Sequence, residues 1–257
     1  MAQLTILDIL SRKGKEKIAV LTAYDFQMAK MLDEAGVDIL LVGDSVGNTV
    51  YGEPTTLNVS IDDMVRHTAA VSKGTERALV VADMPFGSYQ PSETLAVQNA
   101  SRLLAQGRAH AVKLEGGLPI AQTVQRLVDI GIPVMGHVGL TPQSIHQLGG
   151  YRIHGKTDAG AERIHTDALA IAQAGAFALV LECVTPEVAA RITKAVSIPT
   201  IGIGSGPTCD GQVLVTNDLL GLTVSHVPKF VKPVANLRTV ITEGVKTYVR
   251  NVKEGRE

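Results

Sequence analysis

The chain has 257 residues, of which 45% are hydrophobic and 25 are glycine, enough to bury one large core. Its 24 lysines and arginines nearly balance 25 aspartates and glutamates, so the formal net charge is −1 and no broad basic field exists to attract nucleic acid. We therefore expect a small-molecule partner, and neither nucleic acid nor a membrane, because no apolar run approaches the roughly 20 residues of a membrane helix. Two cysteines, Cys183 and Cys209, and a start without the order of a secretory signal favour a cytoplasmic protein.

The first fourteen residues predict a helix that covers the N-terminal end of the fold. Beyond them, short apolar runs alternate with amphipathic segments. The apolar runs are bounded by glycines and polar residues and have the length of buried strands. They predict eight strands, at 18–23, 38–44, 78–84, 110–115, 133–138, 177–182, 199–204 and 212–217.

The segments between these strands have the pattern of helices. In residues 60–73 the apolar positions share one face, and Ser60 with Asp63 forms a capping box at the start. Strand and helix alternating eight times predict a parallel sheet, and eight units favour an α/β fold of the closed (β/α)₈ TIM barrel type over an open doubly wound sheet. We expect one domain over residues 1–257, with the N-terminal capping helix and a C-terminal helix after Pro228.

Polar side chains stand where the predicted strands end. These residues are Asp44 and Ser45 after the second strand, Asp83 on the third, Lys113 and Glu115 on the fourth, His137 on the fifth and Glu182 on the sixth. Active sites of TIM barrels lie at the carboxyl ends of the strands. Taken singly, an aspartate there often caps a helix, a glutamate is often solvent-exposed and a histidine often belongs to the core. Their joint occurrence favours a functional site.

Four carboxylates in one barrel mouth require a countercharge. Like charges a few Å apart raise one another's pKa, and a divalent cation relieves that repulsion. Oxygen ligands without paired histidines or cysteines at zinc spacing favour Mg²⁺ or another hard divalent cation. Lys113 and Glu115 are two apart on one strand and point the same way, so Lys113 is placed to bind a substrate carboxylate.

Two loops leave alternatives open. Residues 149–157 bring Arg152, His154 and Lys156 between glycines, which fits a mobile solvated turn about as well as a lid over an anionic substrate. Residues 202–211 fit a tight turn or an anion site. They do not fit a dinucleotide site, because Pro207 stands where that fingerprint needs its third glycine.

Seven stretches of the sequence form a recognisable set. They are LTAYD (21–25), VGDSVGNTVYG (42–52), ADMPFGSY (82–89), VKLEGG (112–117), PVMGHVGLTPQS (133–144), LVLECV (179–184) and IGIGSGPTCDGQVLV (201–215). In order and spacing, over nearly the whole chain, they resemble the ketopantoate hydroxymethyltransferase family. The sequence departs from the family pattern at Ser205, where alanine is common, and at His154, where glutamine is frequent. These departures concern only how the folate is held.

The resemblance implies a barrel of the phosphoenolpyruvate/pyruvate superfamily that assembles as a homodecamer. It implies transfer of a hydroxymethyl group from the co-substrate 5,10-methylenetetrahydrofolate to 3-methyl-2-oxobutanoate, giving 2-dehydropantoate and tetrahydrofolate. This is the first step of pantothenate and coenzyme A biosynthesis, and the implied route passes through a metal-stabilised enolate.

The resemblance also implies a role for each residue of the set. Metal binding falls on Asp44, Asp83 and Glu115. Contacts with the ketoacid fall on Asp44, Ser45, Asp83, Lys113 and His137. Glu182 is implied to be the catalytic group that moves the proton at C3 of the ketoacid.

Two alternative functions compete with this interpretation. An isocitrate-lyase or phosphoenolpyruvate-mutase type C–C or P–C lyase would keep the fold and the cation. Such enzymes use a catalytic cysteine or phosphate-binding residues, whereas Cys183 directly follows Glu182 and faces the other side of the strand. A non-catalytic barrel that only binds a ketoacid would have no need of Glu182.

Overall fold

The computed structural model describes residues 2–256, and its eight parallel strands close into a barrel in chain order. The strands are β1 (Ile18–Thr22), β2 (Ile39–Val42), β3 (Leu79–Asp83), β4 (Ala111–Glu115), β5 (Val134–Gly139), β6 (Ala178–Glu182), β7 (Thr200–Ile203) and β8 (Gly211–Leu214). The predicted (β/α)₈ barrel is confirmed. The last strand ends earlier than predicted, because a helix already begins at Thr216.

The helices follow the strands in the alternation that the sequence predicts. They are α1 (Ile6–Ser11), α2 (Phe26–Glu34), α3 (Val46–Thr49), α4 (Ile61–Gly74), α5 (Glu93–Ala105), α6 (Ala121–Asp129), α7 (Ile145–Leu148), α8 (Asp158–Gln173), α9 (Pro186–Ala195), α10 (Thr216–Leu219) and α11 (Leu237–Lys253). The predicted capping box is present at α4, where Ser60 and Asp63 exchange side chain to backbone hydrogen bonds.

The chain divides into two compact units. The first ends at Val213 and contains the barrel wall, and the second begins at Leu214 and contains α10 and α11. The predicted single domain over residues 1–257 stays a prediction. Within residues 2–256, no helix combines the length and the apolar character needed to cross a bilayer.

The barrel interior is filled by alternate residues of the strands, as expected for a closed sheet. Ile9 of α1 is fully buried in the same cluster, so α1 covers the N-terminal end of the barrel as predicted. The strand residues of this cluster are Ile18, Val20, Ile39, Leu41, Leu79, Val81, Ala111, Met135, Ala178, Val180, Ile201 and Val213. A second cluster joins the outer faces of the strands to the helices.

Candidate active site

The polar side chains of the barrel mouth continue the inward-facing positions of the strands. In β3 the inward residues are Leu79 and Val81, and Asp83 is the next in that alternation. In β6, Glu182 follows Val180 in the same way. Lys113 and Glu115 of β4 and His137 of β5 obey the same alternation. The apolar core of the barrel therefore ends in a polar layer at its C-terminal face.

Asp44 is placed at the mouth by the segment after β2 and not by a strand position. Gly43 follows β2, and a Cβ atom there would lie 2.6 Å from Oγ of Ser45 and 3.5 Å from Oδ2 of Asp83. Because Gly43 has no side chain, the backbone passes close to β3, and the Asp44 N–H donates to Oδ2 of Asp83 at 3.0 Å. Only 4% of Asp44 and 3% of Asp83 is exposed.

Lys113 is buried among the acids. Its Nζ lies 2.8 Å from Oδ1 of Asp83 and 3.2 Å from Nδ1 of His137. Burial lowers the pKa of Lys113, but the carboxylates of Asp83 and Glu115 outweigh burial and raise the pKa above its usual value. Lys113 thus remains charged and neutralises part of the acid cluster.

His137 bridges two carboxylates across β5. Its Nδ1 lies 3.4 Å from Oε1 of Glu115, and its Nε2 lies 3.2 Å from Oε2 of Glu182. Burial and the charge of Lys113 lower the pKa of His137, but the two glutamates outweigh them and raise it to about 9. The imidazolium of His137 thus places a positive charge beside both Glu115 and Glu182 at neutral pH.

The cluster carries more negative than positive charge. Among residues 2–256, the ion pairs of Asp44, Asp83, Glu115 and Glu182 involve two cationic groups, Lys113 and His137. Burial, followed by the charges of Asp83 and Glu115, raises the pKa of Asp44 to about 8. Burial and the neighbouring acids thus both disfavour the charged form of Asp44, and a bound cation would oppose them.

This donor set fits a divalent cation. Among residues 2–256, no three acids, histidines or cysteines already stand in the arrangement of an assembled metal site. The carboxylate oxygens are instead engaged by the Lys113 ammonium and by N–H donors. The excess of carboxylates and the oxygen-only chemistry of Asp44, Asp83 and Glu115 match Mg²⁺ or another hard divalent ion.

Three further residues hold the site, and the sequence analysis missed them. The Tyr24 hydroxyl is 2.8 Å from Oγ of Ser45. The Tyr89 hydroxyl accepts a hydrogen bond from the Glu115 N–H at 3.1 Å, and Gln143 donates to Oδ2 of Asp44 at 3.0 Å. Tyrosine and glutamine carry no charge that would mark them in a sequence. The available signals are their position in segments that follow β1, β3 and β5 and their place in the stretches 21–25, 82–89 and 133–144, which carry the family resemblance.

The chain turns sharply after Glu182. Cys183 has φ 48°, a left-handed conformation that costs a side-chain-bearing residue free energy and that clusters at functional sites. Ser205 holds both sides of this turn, because its hydroxyl donates to the Leu181 carbonyl at 2.7 Å and accepts from the Val184 N–H at 3.0 Å. The residue that departs from the family pattern thus has a structural partner on each side of Glu182 and Cys183.

The loop of residues 149–157 is attached to this same turn. The His154 N–H donates to the Cys183 carbonyl at 2.7 Å, and the Thr185 N–H donates to the His154 carbonyl at 3.1 Å. Partial burial, followed by the charge of Glu182, raises the pKa of Tyr151, so this part of the loop lies near the acids. The roles considered for Arg152, His154 and Lys156 stay predictions.

Comparison with known proteins gives a consistent family assignment. The family model described as ketopantoate hydroxymethyltransferase matches residues 3–256. Proteins named 3-methyl-2-oxobutanoate hydroxymethyltransferase are similar over most of the chain. The protein from Syntrophus aciditrophicus is 56% identical over 246 residues, covering 96% of this chain and 90% of its own length. The protein from Thermococcus kodakarensis is 56% identical over 256 residues, covering 100% of this chain and 89% of its own length.

Solved structures support the fold. A phosphoenolpyruvate phosphomutase from Streptomyces platensis subsp. rosaceus has a TM-score of 0.67 at 12% identity, covering 98% of this chain and 88% of its own. A phosphonopyruvate hydrolase complexed with oxalate and Mg²⁺ has a TM-score of 0.64 at 13% identity, with coverage of 98% and 88%. A 2,3-dimethylmalate lyase of the PEP mutase/isocitrate lyase superfamily has a TM-score of 0.61 at 16% identity, with coverage of 98% and 86%.

At such low identity these structures establish the barrel and leave the chemistry open. The family model and the close relatives cover nearly the whole chain, including every strand end that carries an acid, the lysine or the histidine. The chain therefore belongs to the ketopantoate hydroxymethyltransferase family.

Proposed function

We propose that this protein transfers a hydroxymethyl group from 5,10-methylenetetrahydrofolate to 3-methyl-2-oxobutanoate, giving 2-dehydropantoate and tetrahydrofolate. In this proposal it catalyses the first step of pantothenate biosynthesis, as a 3-methyl-2-oxobutanoate hydroxymethyltransferase. Its family membership and relatives of the same name at 56% identity support the assignment. The two free cysteines, Cys183 and Cys209, favour a reducing compartment, and we place the reaction in the cytoplasm.

The observation that carries the proposal is the placement of Glu182. Its side chain is 16% exposed, whereas the side chains of Asp83 and Glu115 are 4% and 3% exposed, and Asp44 as a whole residue is 4% exposed. Glu182 is thus the acid of the cluster that an incoming substrate reaches most readily. A general base must lie within hydrogen-bond reach of the proton that it removes, and Glu182 sits at the mouth with His137 behind it.

In the proposed reaction, Glu182 takes the proton from C3 of the ketoacid. The electron pair of the broken C–H bond forms the C2–C3 double bond, and the carbonyl pair moves onto the keto oxygen. A positioned base of this kind contributes about 10²–10⁴-fold in rate. The resulting enolate carbon then bonds to a one-carbon unit at the oxidation level of formaldehyde, and the overall transfer from the folate takes up one water.

The remaining residues stabilise charge and orient groups. His137 places its positive charge beside Glu182, with Nε2 3.2 Å from Oε2, while Lys113 offsets the negative charge that the ketoacid brings into the mouth. Ser45 is held by Tyr24 and is available to the substrate. Asp44, Asp83 and Glu115 would hold Mg²⁺. When bound, that cation supplies Lewis-acid stabilisation of the oxygen on which charge develops.

Proton exchange without folate tests the proposal directly. The protein is incubated with Mg²⁺ and 3-methyl-2-oxobutanoate in D₂O, and loss of the C3 proton signal is followed by NMR. We expect exchange in the parent, a loss of at least about 100-fold in Glu182→Gln, and no exchange after EDTA treatment.

The matched control for this experiment is Glu187→Gln. Glu187 lies five residues further along, exposed on α9, and its variant should exchange like the parent. If Glu182→Gln exchanges at the parent rate, Glu182 is not the base. If the parent itself shows neither exchange nor hydroxymethyl transfer, the proposed activity is wrong.

We also propose that the protein is a homo-oligomer, with the homodecamer that the family resemblance implies as the expected state. The support lies in α11, where apolar residues recur every three or four positions along one face. All of them are at least 41% exposed. These residues are Val240, Ile241, Val245, Tyr248, Val249 and Val252. An apolar face of this length indicates a protein contact, and a second copy of the chain is the occupant we propose.

A further inference from the structure

We infer that Gln143 is a positioning residue that fixes the carboxylates of Asp44 and Glu115 and thereby sets the affinity of the site for a divalent cation. The inference rests on the proposed function, which needs such a cation. Gln143 lies in the single 3₁₀ turn Pro142–Ser144 after β5 and is only 5% exposed. It carries no charge, and its backbone N–H and both side-chain polar atoms are engaged.

The amide of Gln143 has only one possible orientation. The Gly87 N–H donates to Oε1 of Gln90 at 2.8 Å, so Nε2 of Gln90 is the atom that donates to Oε1 of Gln143, at 3.0 Å. On its other side, Nε2 of Gln143 donates to the Met84 carbonyl at 2.9 Å. This chain of hydrogen bonds starts at a backbone donor, the Gly87 N–H, and ends at a backbone acceptor, the Met84 carbonyl. Neither amide along it can therefore be flipped.

This orientation determines which atom of the Gln143 amide contacts Asp44. The second N–H of Gln143 Nε2 points at Oδ2 of Asp44, 3.0 Å away. An amide donor on one carboxylate oxygen holds that carboxylate in a fixed orientation, and such outer hydrogen bonds to metal ligands raise the affinity for the metal.

The same residue holds Glu115 through its backbone. The Gln143 N–H donates to Oε2 of Glu115 at 3.0 Å. The Tyr89 hydroxyl lies 2.9 Å from both Oε1 of Gln143 and the Glu115 carbonyl, so the Gln143 side chain is also tied to the end of β4. One loop residue therefore orders two acids from non-adjacent strands, β2 and β4.

A buried amide of this kind could serve folding alone, so the test measures cation affinity rather than activity. Mn²⁺ is titrated into the substrate-free protein, and free Mn²⁺ is counted by electron paramagnetic resonance. Loss of a group that orients metal ligands costs about 10–100-fold in affinity, and we expect that loss in Gln143→Leu. Gln147→Leu, the same change at an exposed position of α7, should bind Mn²⁺ like the parent.

Gln90→Ala covers the case in which Gln143→Leu does not fold. Gln90 is exposed, and its loss removes one of the two donors to Oε1 of Gln143, the other being the Tyr89 hydroxyl, so Mn²⁺ binding should weaken at least about threefold. The proton exchange rate of folded Gln143→Leu should recover at high Mg²⁺, because the base is untouched. A folded Gln143→Leu or Gln90→Ala protein with parental Mn²⁺ affinity overturns the inference.

The two proposals fail in different ways. If the parent binds Mn²⁺ but does not exchange the C3 proton or form product, the proposed reaction is wrong. The Mn²⁺ affinities of the variants still test the role of Gln143 in that case. If the parent binds no Mn²⁺ at millimolar concentration, the cation site and the role of Gln143 are both wrong.

Discussion

At the scale of single residues, the site combines acids with a minimum of countercharge. Lys113 contacts Asp83 at 2.8 Å in the barrel interior, and in the described part of the chain the acids of the cluster form ion pairs with its ammonium and with His137. A buried ion pair adds little net stability, but removal of one partner leaves an uncompensated charge and is costly. The stability of the barrel mouth therefore depends on Lys113 more than on any surface lysine.

We predict that Lys113→Met lowers the free energy of unfolding of the metal-free protein by about 3 kcal/mol. The reason is that Asp83 loses its buried partner and must take up a proton or repel its neighbours. Urea denaturation in EDTA measures the change. Lys73→Met, at an exposed position in the last turn of α4, should cost well under 1 kcal/mol. Equal stability of the two variants would contradict the prediction.

The positions of the acids and of Lys113 were predictable from the sequence, because each is a charged residue within or just after an apolar strand. Gln143 was not predictable. It is uncharged, it lies in a loop, and its partners Asp44, Met84 and Gln90 come from segments more than 50 residues away in the chain. Such a role depends on loop conformations, which no local pattern of residue types specifies.

At the scale of secondary-structure elements, Asp210 joins the segment after α1 to β7. It accepts hydrogen bonds from Nζ of Lys13 at 2.8 Å, from the Gly14 N–H at 3.0 Å and from the Thr200 N–H at 2.8 Å. Burial raises the pKa of Asp210, but these donors outweigh burial and lower the pKa below 3.8. The charged carboxylate is thus the form that stabilises this connection.

The pH dependence follows from the direction of that shift. A lowered pKa in the folded protein contributes stability above the pKa of the unfolded chain, and this stability is lost as the pH falls through the folded value. We predict that Asp210→Asn costs about 2 kcal/mol at pH 7, and that the difference from the parent shrinks below about pH 4. Denaturant unfolding from pH 7 to pH 3 measures it. A difference that does not change with pH would assign the effect to packing.

The strands show where the sequence pattern holds and where it fails. Seven predicted strands agree with β1 to β7 within two residues at each end, because each is an apolar run that stops at a polar residue or glycine. The eighth was predicted to continue to residue 217, since the apolar residues 213–215 stand between polar residues. The chain instead leaves the sheet after Leu214 and begins α10 at Thr216.

At the scale of the whole molecule, α11 determines how copies of the chain associate under our proposal. We predict that Val245→Glu yields a smaller assembly than the parent, because it places a charge in the middle of the apolar face. Native mass spectrometry measures the assembly. Thr247→Glu puts the same charge on the other side of the helix and should leave the mass unchanged. An unchanged mass for both variants would show that this face is not an interface.

The layering of the barrel interior has a consequence for attempts to raise the thermal stability of the protein by mutation. Its lower layers are apolar, while its top layer concentrates acids whose mutual repulsion Lys113 and His137 offset in part. Replacing such groups with apolar residues of similar volume is often neutral or stabilising. Selection for heat resistance alone would therefore erode the catalytic layer first, and every round would need a concurrent screen for turnover.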